Sequence, residues 1–108
     1  MDDVIQRLRA SKERIGQANH EAGKTAGARW AKQIAEYDEL ERLSRHLEER
    51  VVEDAEGFES VVDPDGERDP RDWIDFWEQN GCREPSDEYV MGFVDAAVVV
   101  FEEVVDKL

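Results

Sequence analysis

The sequence has few cysteines and histidines, the residues from which disulfide frameworks, many metal sites and many catalytic sites are built. Among 108 residues there are one cysteine, two histidines and three prolines. The single Cys82 excludes an intrachain disulfide framework and a cysteine-based zinc cluster. The Glu-x-x-His spacing of di-iron bundles is missing, and so are a phosphate-binding glycine loop and a Gly-x-Ser-x-Gly motif. We therefore predict a protein that is not an enzyme and carries no cofactor.

Long apolar runs are also missing. The longest apolar-rich run, Tyr89 to Phe101, spans thirteen residues and contains Asp95. A helix needs about 20 apolar residues to cross a bilayer. The chain does not open with a basic and then apolar leader, as a secretory signal would. The sequence predicts a soluble cytoplasmic protein with no membrane partner.

Acidic residues are abundant and unevenly placed. The net charge is −14, and charged residues make up 39% of the chain. Residues 1–34 hold seven bases and four acids, whereas residues 35–108 hold seven bases and twenty-four acids. A surface this acidic repels phosphate backbones and favours basic protein partners or cations. We therefore do not expect most of the molecule to bind nucleic acid.

Apolar residues recur at helical spacing through most of the chain. Val4, Leu8, Ile15, Ala18 and Ala22 share one face of a long helix predicted over about 3–35. A second helix is predicted to begin with Asp38 as its N-cap and to end near Asp54. Its buried stripe is predicted to comprise four residues: Leu40, Leu43, Leu47 and Val51.

The second half of the sequence predicts a loop followed by two helices. Two prolines and a glycine indicate an ordered acidic loop over 55–69. Asp69 as N-cap and Pro70 at the first position open a short helix, and Ser86 caps a last helix that is apolar around most of its circumference. We expect one all-α domain. It is a mostly antiparallel bundle of about four helices, paired as 3–54 and 70–108.

Small residues four apart occur in the first and last helices. Because glycine costs a helix about 1 kcal/mol against alanine, glycines at this spacing indicate close approach of two backbones. The predicted packing residues are Gly23, Ala26, Gly27, Trp30, Gly92 and Ala96. The simplest assembly packs these two helices against each other. A first helix of about 50 Å exceeds what a compact monomer needs, which favours a homodimer.

Two further clusters are candidate sites. Asp63, Asp65, Glu67 and Asp69 surround a glycine turn and resemble a weak divalent-cation loop or a plain acidic turn. Trp73 and Trp77, flanked by Asp72 and Asp75, either close the end of the core or form a hot spot for a basic, apolar partner. Both readings stay open for each cluster.

The function expected from these observations is that of a small acidic interaction protein. It acts as an adaptor or inhibitor of a basic partner and is itself a homodimer. Three alternatives remain. They are a DNA-mimic inhibitor, a nucleic-acid binder that uses Arg7, Arg9, Lys12 and Arg14, and a helical bundle that binds a divalent cation or a ligand.

Overall fold

The computed structural model describes residues 1–108 and contains five α-helices and no strand. The helices are α1 (Asp2–Gln33), α2 (Tyr37–Leu47), α3 (Ala55–Val62), α4 (Pro70–Gln79) and α5 (Asp87–Val104), followed by one 3₁₀ turn (Val105–Lys107). The all-α prediction is confirmed, as is the packing of the long N-terminal helix against the C-terminal helix. None of the helices combines the length and apolarity that a membrane span requires.

Local capping explains where the later helices begin. The Asp69 side chain accepts the Arg71 N–H at 2.9 Å, and Pro70 occupies the first turn of α4. The Ser86 hydroxyl accepts the Tyr89 N–H at 3.2 Å at the start of α5. Each cap satisfies a backbone donor that has no partner within its helix. These two N-caps are the ones that the sequence predicts.

The second helix differs from its prediction at both ends. Glu36, not Asp38, is its N-cap, and the helix ends at Leu47 rather than near Asp54. The residues that follow are rich in acids, which are unfavourable at the negative end of a helix dipole. The extended chain then buries Val52 and leaves Val51 66% exposed. The predicted stripe was therefore wrong at Val51.

The predicted loop over 55–69 is partly helical, because its first half forms α3. The Asp54 carboxylate accepts the Gly57 N–H at 2.7 Å and so caps this eight-residue helix. Phe58 and Val62, four residues apart, are both buried. Their burial stabilises a helix that is too short to be stable alone. The bundle thus has five helices, not four.

The predicted antiparallel arrangement is wrong for the main helix contact, because α1 and α5 run parallel. Gly23 lies against Tyr89 and Gly27 against Phe93, so residue numbers rise together along both helices. The Tyr37 ring, just past α1, meets the Phe101 ring at 5.6 Å. The three intervening helices return the chain to the middle of α1, where α5 begins.

An aromatic cluster fills the centre of the core. Trp30 of α1, Phe58 of α3 and Phe93 of α5 are each at most 1% exposed. Their ring centroids lie 5.4 to 5.6 Å apart. Three rings of α4 complete the cluster around Phe58: Trp73 meets it edge-on, Phe76 stacks on it and Trp77 is tilted against it. Such offset geometry adds to the stabilisation from burial alone.

The first half of α1 extends beyond the body of the bundle. We call residues 1–15 the basic arm. All of its residues are exposed apart from the half-buried Ser11, and the molecule measures 55 × 32 × 25 Å. Val4, Leu8 and Ile15 are 41%, 58% and 59% exposed. The apolar face predicted for α1 is therefore uncovered here.

Candidate functional site

The predicted packing glycines lie where α1 and α5 meet. A Cβ atom at Gly27 would overlap the Phe93 carbonyl oxygen and lie 2.7 Å from its carbon. At Gly23 the corresponding distance to the Tyr89 carbonyl carbon is 2.8 Å, and at Gly92 a Cβ would lie 3.0 Å from the His20 carbonyl carbon. These neighbours are backbone atoms, so a rotamer change cannot relieve the overlap. Ala26 and Trp30 are buried nearby, and Ala96 is half-buried.

The acidic loop uses its carboxylates within the chain. Both Asp63 carboxylate oxygens accept backbone N–H groups, from Glu67 at 3.2 Å and from Arg68 at 2.9 Å. Asp69 caps α4, while Asp65 and Glu67 are exposed. No three histidine, cysteine or acidic side chains converge in a way that would hold a metal ion. Asp63 and Asp69 hold the loop and the start of α4 in place.

Trp73 and Trp77, for which both core closure and a partner hot spot were open, are withdrawn from solvent. Trp73 is 7% exposed and Trp77 is 2% exposed. The Trp77 Nε1–H donates to the Glu59 carboxylate at 3.1 Å, which ties α4 to α3. Their observed role is to close the core. Asp72 and Asp75 remain exposed on the same helix.

Those two aspartates border an open cleft between α1, α2 and α4, which we call the acidic cleft. Its volume is about 460 Å³. Its apolar wall consists of Trp30, Ile34 and Phe76, and its remaining lining residues are Glu36, Glu39, Asp72, Asp75, Arg68 and Gln79. Ile34 is 60% exposed. Four acidic residues and one basic residue therefore surround an apolar wall in which Ile34 is exposed and Phe76 is half-buried.

Glu39 and Arg68 organise one side of the acidic cleft. Glu39 is 6% exposed. One of its carboxylate oxygens accepts the Glu36 N–H at 2.9 Å, and the other accepts from the Arg68 guanidinium at 2.7 Å. The same guanidinium lies 4.6 Å from the centre of the Trp73 ring. A buried carboxylate needs such a cation and its hydrogen bonds to offset the loss of water.

The basic residues of the arm do not form one basic face. At 100° per residue, Arg7 and Arg14 fall on one side of α1 and Arg9 and Lys12 on another. Arg9 and Lys12 line a hollow of about 460 Å³ together with Glu13 and Glu88. A DNA-binding helix usually presents its bases as a continuous patch. This arrangement does not favour the nucleic-acid alternative.

One titratable group near the α4–α5 turn is perturbed. The Tyr89 hydroxyl donates to the Asn80 backbone carbonyl at 2.7 Å. Burial raises the pKa of Tyr89 above its ordinary value of 10.0, the nearby Cys82 raises it further, and Arg29 lowers it. The protonated phenol is the form that keeps this hydrogen bond. The interaction supports the fold and lies outside the acidic cleft.

Sequence reasoning missed most of the acidic cleft. It named Asp72 and Asp75, but not Ile34, Glu39 or Arg68. One signal was available, since Arg68 is the only basic residue between Arg50 and Arg71. A lone cation in an acidic stretch often marks an internal ion pair.

Comparisons with protein-family models, with curated proteins and with solved structures find no match to this chain. We therefore infer function from the chemistry of the site itself.

Proposed function

We propose that this protein is a non-enzymatic cytoplasmic interaction module whose acidic cleft binds a basic, apolar segment of a partner protein. It acts on that partner as an adaptor or an inhibitor. The main support is that one cleft combines the exposed Ile34 side chain with a rim of carboxylates. Acidic residues occur all over the surface, but this cleft pairs them with the half-buried Phe76 ring and with the exposed Ile34.

The cleft chemistry suits a lysine or arginine side chain. Such a side chain places its methylene groups on an apolar surface and its cation among carboxylates. Arg68 already adopts this arrangement inside the protein, with its guanidinium over Trp73 and against Glu39. A partner cation approaching the opposite rim would meet Asp75 and Asp72. The long-range attraction of the acidic body would also speed association at low salt.

A cleft-specific charge reversal tests the proposal. The bait is the purified protein in nuclease-treated native lysate, with capture at low and at moderate salt followed by mass spectrometry. The test variant is Asp72→Lys with Asp75→Lys. The matched control is Glu102→Lys with Asp106→Lys, which changes the net charge equally on exposed positions outside the cleft.

We expect the wild type and the control to capture the same basic protein, and the cleft variant to lose it by about tenfold or more. Capture should also fall as salt rises, because the attraction is screened. Equal loss with both variants would instead support the DNA-mimic alternative, in which acids across the whole surface contribute. Retention by the cleft variant would contradict the proposal.

A further inference from the structure

The uncovered face of α1 carries a regular apolar repeat. Met1, Val4, Leu8, Ile15, Ala18 and Ala22 follow alternating three- and four-residue steps, interrupted only by Ser11. This is the heptad spacing of a helix that packs against another helix in a coiled coil. We call this stripe the seam. It spans about 30 Å at 1.5 Å per residue, and every apolar member is exposed.

The seam lies on a different side of α1 from the α5 contact. Gly23 and Gly27 face α5, whereas the centre of the seam lies about a quarter turn away around the helix. The seam is therefore not the unused end of the α1–α5 interface. A soluble helix rarely leaves such a repeat without a partner.

We propose that a second copy of this chain covers the seam, with its α1 antiparallel to the first. Charge is the first reason. In the antiparallel register given below, Arg7 of each copy lies beside the partner's Glu21, and only Lys12 and Arg14 approach their own counterparts, at the two-fold axis. Parallel pairing would instead align two basic arms and place Arg7 beside the partner's Lys12.

Side-chain size is the second reason, and it selects a register. The large residues of the seam lie toward the N-terminus and the small ones toward the body. Aligning Val4 with the partner's Ala22 and Leu8 with the partner's Ala18 joins large to small at every layer. The same register brings Arg7 beside the partner's Glu21, a favourable pair. The contact is two-fold symmetric and closed.

A hollow at the inner end of the seam fits this register. It has a volume of about 330 Å³ and is lined in part by Ala22, Thr25 and Ala26 of α1 and by Tyr89 of α5. The proposed alignment brings the partner's Met1 opposite Thr25. Met1 is 92% exposed in the single chain, and a flexible thioether side chain adapts well to an irregular cavity.

Sedimentation velocity over a concentration series tests the dimer. The expected wild-type mass is about twice the 12.5 kDa of one chain. Leu8→Glu should raise the dimer dissociation constant about 100-fold or more, because a two-fold symmetric dimer has the substitution at two places in its interface. The control Val51→Glu alters an equally exposed apolar residue off the seam and should stay dimeric. A monomeric wild type, or a dimer that Leu8→Glu leaves intact, would overturn the proposal.

Disulfide cross-linking tests the orientation in a Cys82→Ser background. Val4→Cys combined with Ala22→Cys in the same chain should yield a covalent dimer on mild oxidation, while either substitution alone should not. The two positions are too far apart on one helix to bridge within a chain. Cross-linking by Val4→Cys alone would indicate parallel helices and overturn the antiparallel proposal, as would failure of the combined variant to cross-link.

Discussion

Replacing Gly27 by alanine should destabilise the protein, although alanine is the better helix former. The new Cβ would lie 2.7 Å from both the carbonyl carbon and the Cα of Phe93. Carbon atoms in favourable contact are about 3.5–4.0 Å apart, so α1 and α5 must separate by about 1 Å. Neither partner atom can rotate away, because both belong to the backbone of α5.

The loss can be estimated from the side chains that this separation loosens. Trp30 and Phe93, with centroids 5.4 Å apart, each make on the order of 50 atomic contacts when buried. Each atomic contact across the interface contributes roughly 0.1–0.2 kcal/mol of attraction, and a gap of about 1 Å removes a quarter to a half of it. With about half of the contacts crossing, the loss is about 3 kcal/mol. Helix propensity returns about 1 kcal/mol, which leaves about 2 kcal/mol.

Thermal unfolding followed by circular dichroism measures the effect. Gly27→Ala should lower Tm by about 8–10 °C in a domain of this size. Gly16→Ala in the same helix is the control. There the nearest atoms belong to the Glu88 side chain at 3.7 Å or more, so the change should raise Tm by a few degrees. A Gly27→Ala variant that melts at or above the wild-type temperature would refute the backbone-contact argument.

Two further predictions concern polar groups. Arg68→Met should lower the free energy of urea unfolding by about 1–2 kcal/mol, because it leaves the buried Glu39 carboxylate without its cation. The control Arg71→Met, on the exposed surface, should change this free energy by less than about 0.5 kcal/mol, and equal effects of the two variants would contradict the Arg68–Glu39 ion pair. Tyr89 keeps its proton to higher pH when folded, so its contribution is complete below pH 10 and declines above it as the unfolded chain ionises. Tyr89→Phe should remove the loss of stability that Tyr89 ionisation causes at alkaline pH. If the free energy of unfolding fell with the same slope between about pH 9 and 11 in the variant and the wild type, this prediction would be wrong.

Local signals in the sequence predicted the parts of the fold that depend on a few neighbouring residues. Asp69 with Pro70, and Ser86, supply caps whose chemistry is complete within one turn. The spacing of Gly23 and Gly27 predicted close packing between the first and last helices, and those helices do pack together. The sequence did not show whether α1 and α5 run parallel or antiparallel, because a stripe of small residues permits either orientation. The path of the chain through α2, α3 and α4 decides it.

The acidic cleft was mostly hidden because it depends on distant residues. Ile34, Asp75 and Arg68 come together only after α4 folds back beside the end of α1. Trp73 and Trp77 were ambiguous, since an aromatic cluster on a short amphipathic helix serves either a core or an interface. Trp73 and Trp77 serve the core because they pack against the buried Phe58. Phe58 lies on α3, a helix within the segment that was predicted to be a loop.

Mapping the binding of a basic peptide by nuclear magnetic resonance distinguishes binding in the acidic cleft from diffuse attraction to the acidic surface. The probe is a short helical peptide in which arginine and leucine alternate from one helical turn to the next. It is titrated into the ¹⁵N-labelled full chain at moderate salt. We expect amide shift changes concentrated at Ile34, Asp72, Asp75 and Phe76, and we expect their loss in the variant that combines Asp72→Lys with Asp75→Lys. Changes spread evenly over the acidic surface, or centred on the exposed acids of α5, would contradict binding in the cleft.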